Sequence, residues 1–135
     1  MMKTMSESQQ AKLPQTKQDQ SYFVPMTLAQ MRHALLEVPH WEIENHGTVL
    51  KRTFQGNNFT GALILANKIG VLCDHEGHCP EMTVGQNYCK VIFQSHEVGG
   101  LQENDFIMAF KINQLLDKLR KATKTYHLDQ FGLIS

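Results

Sequence analysis

The chain carries no excess charge of either sign: thirteen Lys and Arg balance thirteen Asp and Glu, for a formal net charge of zero. A nucleic-acid binder shows an electrostatic footprint, and this composition has none overall, so no direct nucleic-acid partner is expected. Nor is there an apolar run near the ~18–20 residues that span a bilayer, which excludes a membrane span. The N-terminus has no apolar stretch of the kind a secretory signal needs. Cysteine is scarce and odd in number, with three residues. That argues against a disulfide framework and for a reducing, cytoplasmic setting. Internal repeats, a glycine-rich phosphate loop and zinc-ribbon spacing are all missing.

What is present fits one globular domain. A chain of 135 residues with 41% hydrophobic and 19% charged residues has room for one core. Residues 1–25 are rich in Gln, Lys, Ser and Thr and hold too little apolar surface to offset the entropy of ordering, so they read as a flexible tail. The domain proper is expected over 26–120, with a mixed, irregular C-terminal extension over 121–135. Thr27 followed by Gln30 has the form of a capping box. Leu28, Met31, Leu35 and Leu36 then repeat at helical spacing up to Pro39, where the residue before proline leaves helical space. Short strands over 41–44 and 49–54 flank a His46-Gly47 turn.

Asn58 is placed to cap a second helix over 59–73, apolar on nearly all sides and therefore buried by more than one neighbour. A hairpin follows over 81–86 and 89–95, and a third helix over 103–120, with Asp105 in its first turn where a carboxylate meets the positive end of the helix dipole. Short links between strands imply antiparallel pairing. The fold class is thus α+β: a four-stranded antiparallel sheet with three helices packed on one face, in the order α-β-β-α-β-β-α.

The chemistry-bearing residues concentrate in one stretch. Asp74, His75, His78, Cys79, Ser95, His96, Glu97 and Asp105 fall within about thirty positions. Three chemistries compete there. His75, His78, Cys79 and His96 are all metal-ligand types, but neighbours such as His78 and Cys79 point apart and no zinc-type spacing is present, so no metal is expected. Cys79 beside a histidine would be a nucleophile if a base activated it. His78 and His96 would move protons near neutral pH. Against all three stands the plain alternative of satisfied polar groups at a surface turn, which composition and spacing favour.

The stretch resembles the pterin-4a-carbinolamine dehydratase family. The family pattern runs from an acidic residue through His-His-Pro and an aromatic to a later His and a downstream Asp. Asp74, His78, Pro80, His96 and Asp105 stand at those positions, and the spacings from His78 to His96 and from His96 to Asp105 carry no gap. Gly99-Gly100-Leu101, three residues before Asn104-Asp105, is similar to the family's start of its last helix, and Trp41 sits where the family carries a tryptophan. The likeness covers about Thr27 to Leu119. Two positions depart from the pattern. The family's second histidine is Cys79 here, and its aromatic is Gln86, with Tyr88 two residues on and on the same face if both lie in one extended strand.

The resemblance implies dehydration of a 4a-hydroxytetrahydropterin to the quinonoid dihydropterin, which recycles the tetrahydrobiopterin cofactor of aromatic amino-acid hydroxylases. It implies His78, His96 and Cys79 as the proton-handling positions. Asp74, Pro80, Ser95, Glu97, Val98, Asp105 and Trp41 would line the substrate site, Trp41 either on the pterin ring or in the core. The pterin is substrate, and no cofactor is implied. A thiol with an ordinary pKa of about 8.5 is a poorer base at neutral pH than an imidazole near 6.5, so Cys79 implies a slower enzyme. The resemblance also implies homodimers or homotetramers. It leaves open a second role, since relatives on this scaffold are binding, assembly or transcriptional cofactor proteins.

Overall fold

The structure is a computed structural model that describes residues 24–95 and 99–126. Most of the expected tail, residues 96–98 and the end of the C-terminal extension lie outside the described residues. Seven elements follow in order: α1 (Leu28–Leu35), β1 (Glu42–Glu44), β2 (Val49–Gln55), α2 (Phe59–Glu76), β3 (Glu81–Gly85), β4 (Tyr88–Gln94) and α3 (Glu103–Tyr126). The strands form one sheet in the order β1-β2-β4-β3, each pair antiparallel. This is the α+β architecture expected, with β4 paired to β2 so that the two hairpins join through their second strands.

Alternation sets the faces. Leu50, Arg52 and Phe54 of β2 and Cys89, Val91 and Phe93 of β4 are all buried and point toward the helices, whereas Thr53, Gln55 and Gln94 are exposed on the other side. The register puts Leu50 opposite Phe93 and Phe54 opposite Cys89, so each phenylalanine of the inward rows meets a smaller side chain across the strands. From the helices, Met31, Leu65, Ile69, Cys73, Met108, Ile112 and Leu116 complete one core.

Local chemistry explains the helix ends. At α1 the capping box is formed: Gln30 N–H donates to Thr27 Oγ1 at 3.1 Å, and Thr27 N–H donates to Gln30 Oε1 at 2.8 Å. The apolar stripe expected there is only partly buried. Met31 is in the core, but Leu28 and Leu36 are 58% and 76% exposed; the helix ends at Leu35, and the chain leaves it through tight turns that bury Val38 instead. Asn58 caps α2 by accepting from Gly61 N–H at 2.7 Å.

That helix runs three residues beyond its expected end, so Asp74, His75 and Glu76 belong to its last turn and not to a loop. Gly77 closes it in the left-handed conformation, φ 77°, which glycine adopts without a Cβ clash. The last helix also outruns expectation, since Lys121–Tyr126 continue α3. Lys and Ala are good helix formers and lysines suit a helix C-terminus, so nothing there stops the helix.

The β1–β2 turn anchors the loop that leads into α3. Asn45, His46 and Gly47 all have positive φ, 53°, 56° and 86°. Thr48 O accepts from Ser95 N–H at 3.0 Å and Gly47 O accepts from Leu101 N–H at 2.8 Å, so the turn grips the chain on both sides of residues 96–98. Leu101 O in turn accepts from Met26 N–H at 2.9 Å.

Candidate active site

Three elements meet at the end of α2. The Gly77 and His78 amides both return to Cys73 O, at 2.9 and 3.3 Å, which fixes the His78 backbone on the last turn of the helix. The imidazole lies parallel to the Phe93 ring of β4, with centroids 5.5 Å apart and planes within 1°. Its Nε2 is 2.8 Å from Asp105 Oδ1 on the first turn of α3. The His78 side chain is 28% exposed and that of Asp105 only 6%, so the pair sits at a boundary between core and solvent.

Asp105 has two tasks. Its Oδ2 accepts from Gln102 N–H at 2.9 Å, capping α3, while Oδ1 faces the imidazole. Anchored at both oxygens and mostly shielded from water, the carboxylate has a fixed orientation. A carboxylate accepts, so the pair holds the proton on Nε2 and turns Nδ1 away from Asp105 as the nitrogen left to exchange protons.

Cys79 is placed differently from its neighbour. It is exposed, and its Sγ donates to Asp74 Oδ1 at 3.7 Å. Partial desolvation and the Asp74 carboxylate push its thiol above the ordinary value. At neutral pH Cys79 is therefore a thiol, a weak donor without basic character. Pro80 follows, half-buried, and leads straight into β3.

Trp41 is buried, with 5% exposure. Its ring lies 5.9 Å from Phe93 and 6.4 Å edge-on from Phe54, and its Nε1 donates to Asn113 Oδ1 at 2.8 Å. It packs against the same Phe93 ring that His78 stacks on. Ser95 is half-buried at the end of β4. His96, Glu97 and Val98 lie outside the described residues. Among the described residues no group of three or more His, Cys, Asp and Glu side chains is arranged to hold a metal ion.

The fold thus joins His78 to Asp105, 27 positions apart, and joins Cys79 to Asp74. Tyr88 does not take the place of Gln86. Gln86 and Asn87 form the two-residue turn between β3 and β4, so the two residues do not share one strand. The Tyr88 ring crosses Gly85, where an added Cβ would come within 1.9 Å of it; this is the sheet face away from Phe93 and His78. Phe93 escaped the sequence reading as a site residue, because a buried aromatic in a strand carries no mark that separates support of a site from ordinary core. Gln102 escaped it too, although its place three residues before Asp105 is the capping spacing already recognised at Thr27.

The model of the family described as pterin 4 alpha carbinolamine dehydratase matches residues 24–115. The chain belongs to that family. The matched span contains every described element except the end of α3, and it includes both members of the His78–Asp105 pair. Among curated relatives of this dehydratase family, a Methylococcus capsulatus protein named "Putative pterin-4-alpha-carbinolamine dehydratase" is 48% identical over 91 residues, covering 67% of this chain and 80% of the relative. A Halorhodospira halophila protein of the same name is 35% identical over 91 residues, covering 67% and 84%. A crystal structure of a transcriptional coactivator/pterin dehydratase from Brucella melitensis superposes with a TM-score of 0.60 at 24% identity, over 67% of this chain and 96% of that one. That likeness bears on the fold.

Proposed function

We propose that the protein dehydrates 4a-hydroxytetrahydropterin to the quinonoid dihydropterin and so recycles a tetrahydrobiopterin-type cofactor. The observation that carries this reading is the 2.8 Å His78–Asp105 pair, an oriented imidazole partly open to solvent at positions that match the family's motif. In the reaction the C4a–O bond breaks, the N5–H proton leaves, and a C4a=N5 double bond forms. A protonated imidazole gives its proton to the departing hydroxyl, which leaves as water, and a neutral imidazole takes the N5 proton. The two hands exchange charge, so one turnover consumes no net proton. We assign these roles to His78 and His96, with Asp105 holding the His78 tautomer. We assign contact with the pterin to Asp74, Pro80, Ser95, Glu97 and Val98, and a supporting role from the core, through Phe93, to Trp41.

A second reading has its own observation. Cys79, next to His78, is a proton-holding thiol tied to Asp74, so this position supplies no base. A protein that lost one proton-handling group while keeping the fold would suit a binding, assembly or transcriptional cofactor role. The Brucella melitensis neighbour, named both coactivator and dehydratase, fits either reading.

One assay on synthetic pterin carbinolamine separates them, comparing wild type, Cys79→His and His96→Ala. The dehydratase reading expects measurable wild-type turnover, a gain in Cys79→His and a loss of about 10²-fold or more in His96→Ala. An inactive wild type that gains activity in Cys79→His favours the cofactor role. Activity that survives His96→Ala removes the proton-transfer roles. Free thiols at Cys73, Cys79 and Cys89 fit a cytoplasmic location. No described helix is long and apolar enough to cross a membrane. We further propose that copies of the chain associate as a homodimer or homotetramer through the outer face of α2.

A further inference from the structure

Among the described residues, the end of α2 is tied to α3 at two points. One is His78–Asp105 itself. The other is an ion pair that the chemistry above does not use: Lys111 Nζ lies 2.8 Å from Glu76 Oε1, with side chains 18% and 17% exposed. Glu76 is the last residue of α2 and stands two positions before His78. Lys111 lies six residues along α3 from Asp105, roughly 9 Å at 1.5 Å per residue. His75, mostly exposed, has its Nδ1 3.7 Å from the other Glu76 carboxylate oxygen.

We propose that Glu76 and Lys111 are positioning residues for His78. The His78 backbone is tied to Cys73 O, so its ring moves with the end of α2. Asp105 is fixed to α3 through Gln102 N–H. The Nε2–Oδ1 separation therefore depends on how the end of α2 sits against α3, and the Glu76–Lys111 pair sets that distance from a second point on the same helix. Neither residue needs to touch the pterin. Both charges are largely shielded from water, so loss of the Lys111 charge removes an attraction that draws the end of α2 toward α3. Proton transfer is sensitive to such shifts, since a misplacement of about 1 Å can cost ~10²-fold in rate.

The inference rests on the dehydratase reading for its kinetic consequence, so the test carries a readout free of turnover: the NMR resonance of the His78 ring proton on Nε2. Lys111→Met keeps the length of the stem and removes the charge. We expect kcat to fall about tenfold with KM held within about twofold, and the His78 resonance to shift or broaden. The reversed pair Glu76→Lys with Lys111→Glu is expected to recover most of the rate and the resonance, and Lys111→Arg to resemble wild type. A folded Lys111→Met with unchanged kcat and an unmoved resonance overturns the proposal, whatever its Tm does. If Lys111→Met fails to fold, the reversed pair decides: folded with a wild-type resonance it supports positioning, folded with the resonance lost it overturns it. A wild type without dehydratase activity, whose resonance still responds to Lys111→Met, sinks the dehydratase reading and leaves the positioning intact.

Discussion

Asp105 is the residue on which the site turns, because its two oxygens serve two partners. Asparagine has one oxygen to offer. In Asp105→Asn either the Gln102 amide or the imidazole loses its acceptor, and if the side-chain NH2 turns toward His78 it forces the opposite tautomer. We expect kcat for carbinolamine dehydration to fall about 10²-fold, with a stability loss of about 1–3 kcal/mol from the weakened cap, measured by steady-state kinetics and urea unfolding. The buried thiols make a separate, pH-dependent prediction. Burial pushes Cys73 up to about 12, helped by the nearby Cys79, Asp74 and Glu76, and pushes Cys89 up to about 11. In the unfolded chain both ionise near 9, so the unfolded state loses its protons first. Their contribution to stability is complete below pH 9 and shrinks as pH rises through 9 toward 11 and 12, at about 1.4 kcal/mol per pH unit for each thiol. Cys89→Ala should therefore start less stable at pH 8 but decline less steeply between pH 9.5 and 10.5. Parallel slopes for the two proteins would refute the assignment.

The elements were largely readable, and the reasons differ from one to the next. Capping chemistry is local, so Thr27 with Gln30 and Asn58 marked two helix starts correctly. Ends were harder. Gly77 is the real stop of α2, but Cys73-Asp74-His75 looked like a break because polar residues there suggest a loop as readily as a final helical turn. The Lys121–Tyr126 extension of α3 went unread for the same reason, polarity taken as irregularity. Arg52 shows what periodicity cannot reveal. It falls on the inward face of β2 yet carries a charge, and its burial is accommodated by Asn113 Oδ1 at 2.6 Å and the Phe54 ring 4.3 Å from the guanidinium carbon. Only the fold brings Asn113 there, along with Trp41 Nε1 and Pro39 O. At α2 the prediction concerns its cap. Gly77→Ala places a Cβ at φ 77°, which costs about 1–2 kcal/mol and disturbs the turn that carries His78. Thermal unfolding should register the stability loss, and kcat should fall in the same variant. Loss of stability with full activity would show that His78 does not depend on the cap.

For the whole molecule the open question of packing lies on α2. Its sequence is apolar on almost every side, which called for more than one covering neighbour. Among the described residues the stripe of Ala62, Leu65, Ile69 and Cys73 is covered, while Phe59, Leu63 and Val71 remain 49%, 46% and 65% exposed. Phe59 and Leu63 are one helical turn apart and Val71 two turns further on, so the three spread over about a third of the helix circumference, on the side away from the covered stripe. Exposed apolar patches of this kind mark contacts with another surface, and a second copy offers the same patch across a twofold axis. Sedimentation equilibrium at micromolar concentration should give two or four times the 15.4 kDa chain mass. Leu63→Glu combined with Val71→Glu should sediment as a single chain with an unchanged helical circular dichroism spectrum, because neither side chain supports the core. The wild-type Tm should rise with protein concentration and that of the double variant should not, since only association links stability to concentration. A wild type that sediments as one chain at every concentration would mean that α2 keeps its apolar face in water, and the proposed self-association would be wrong.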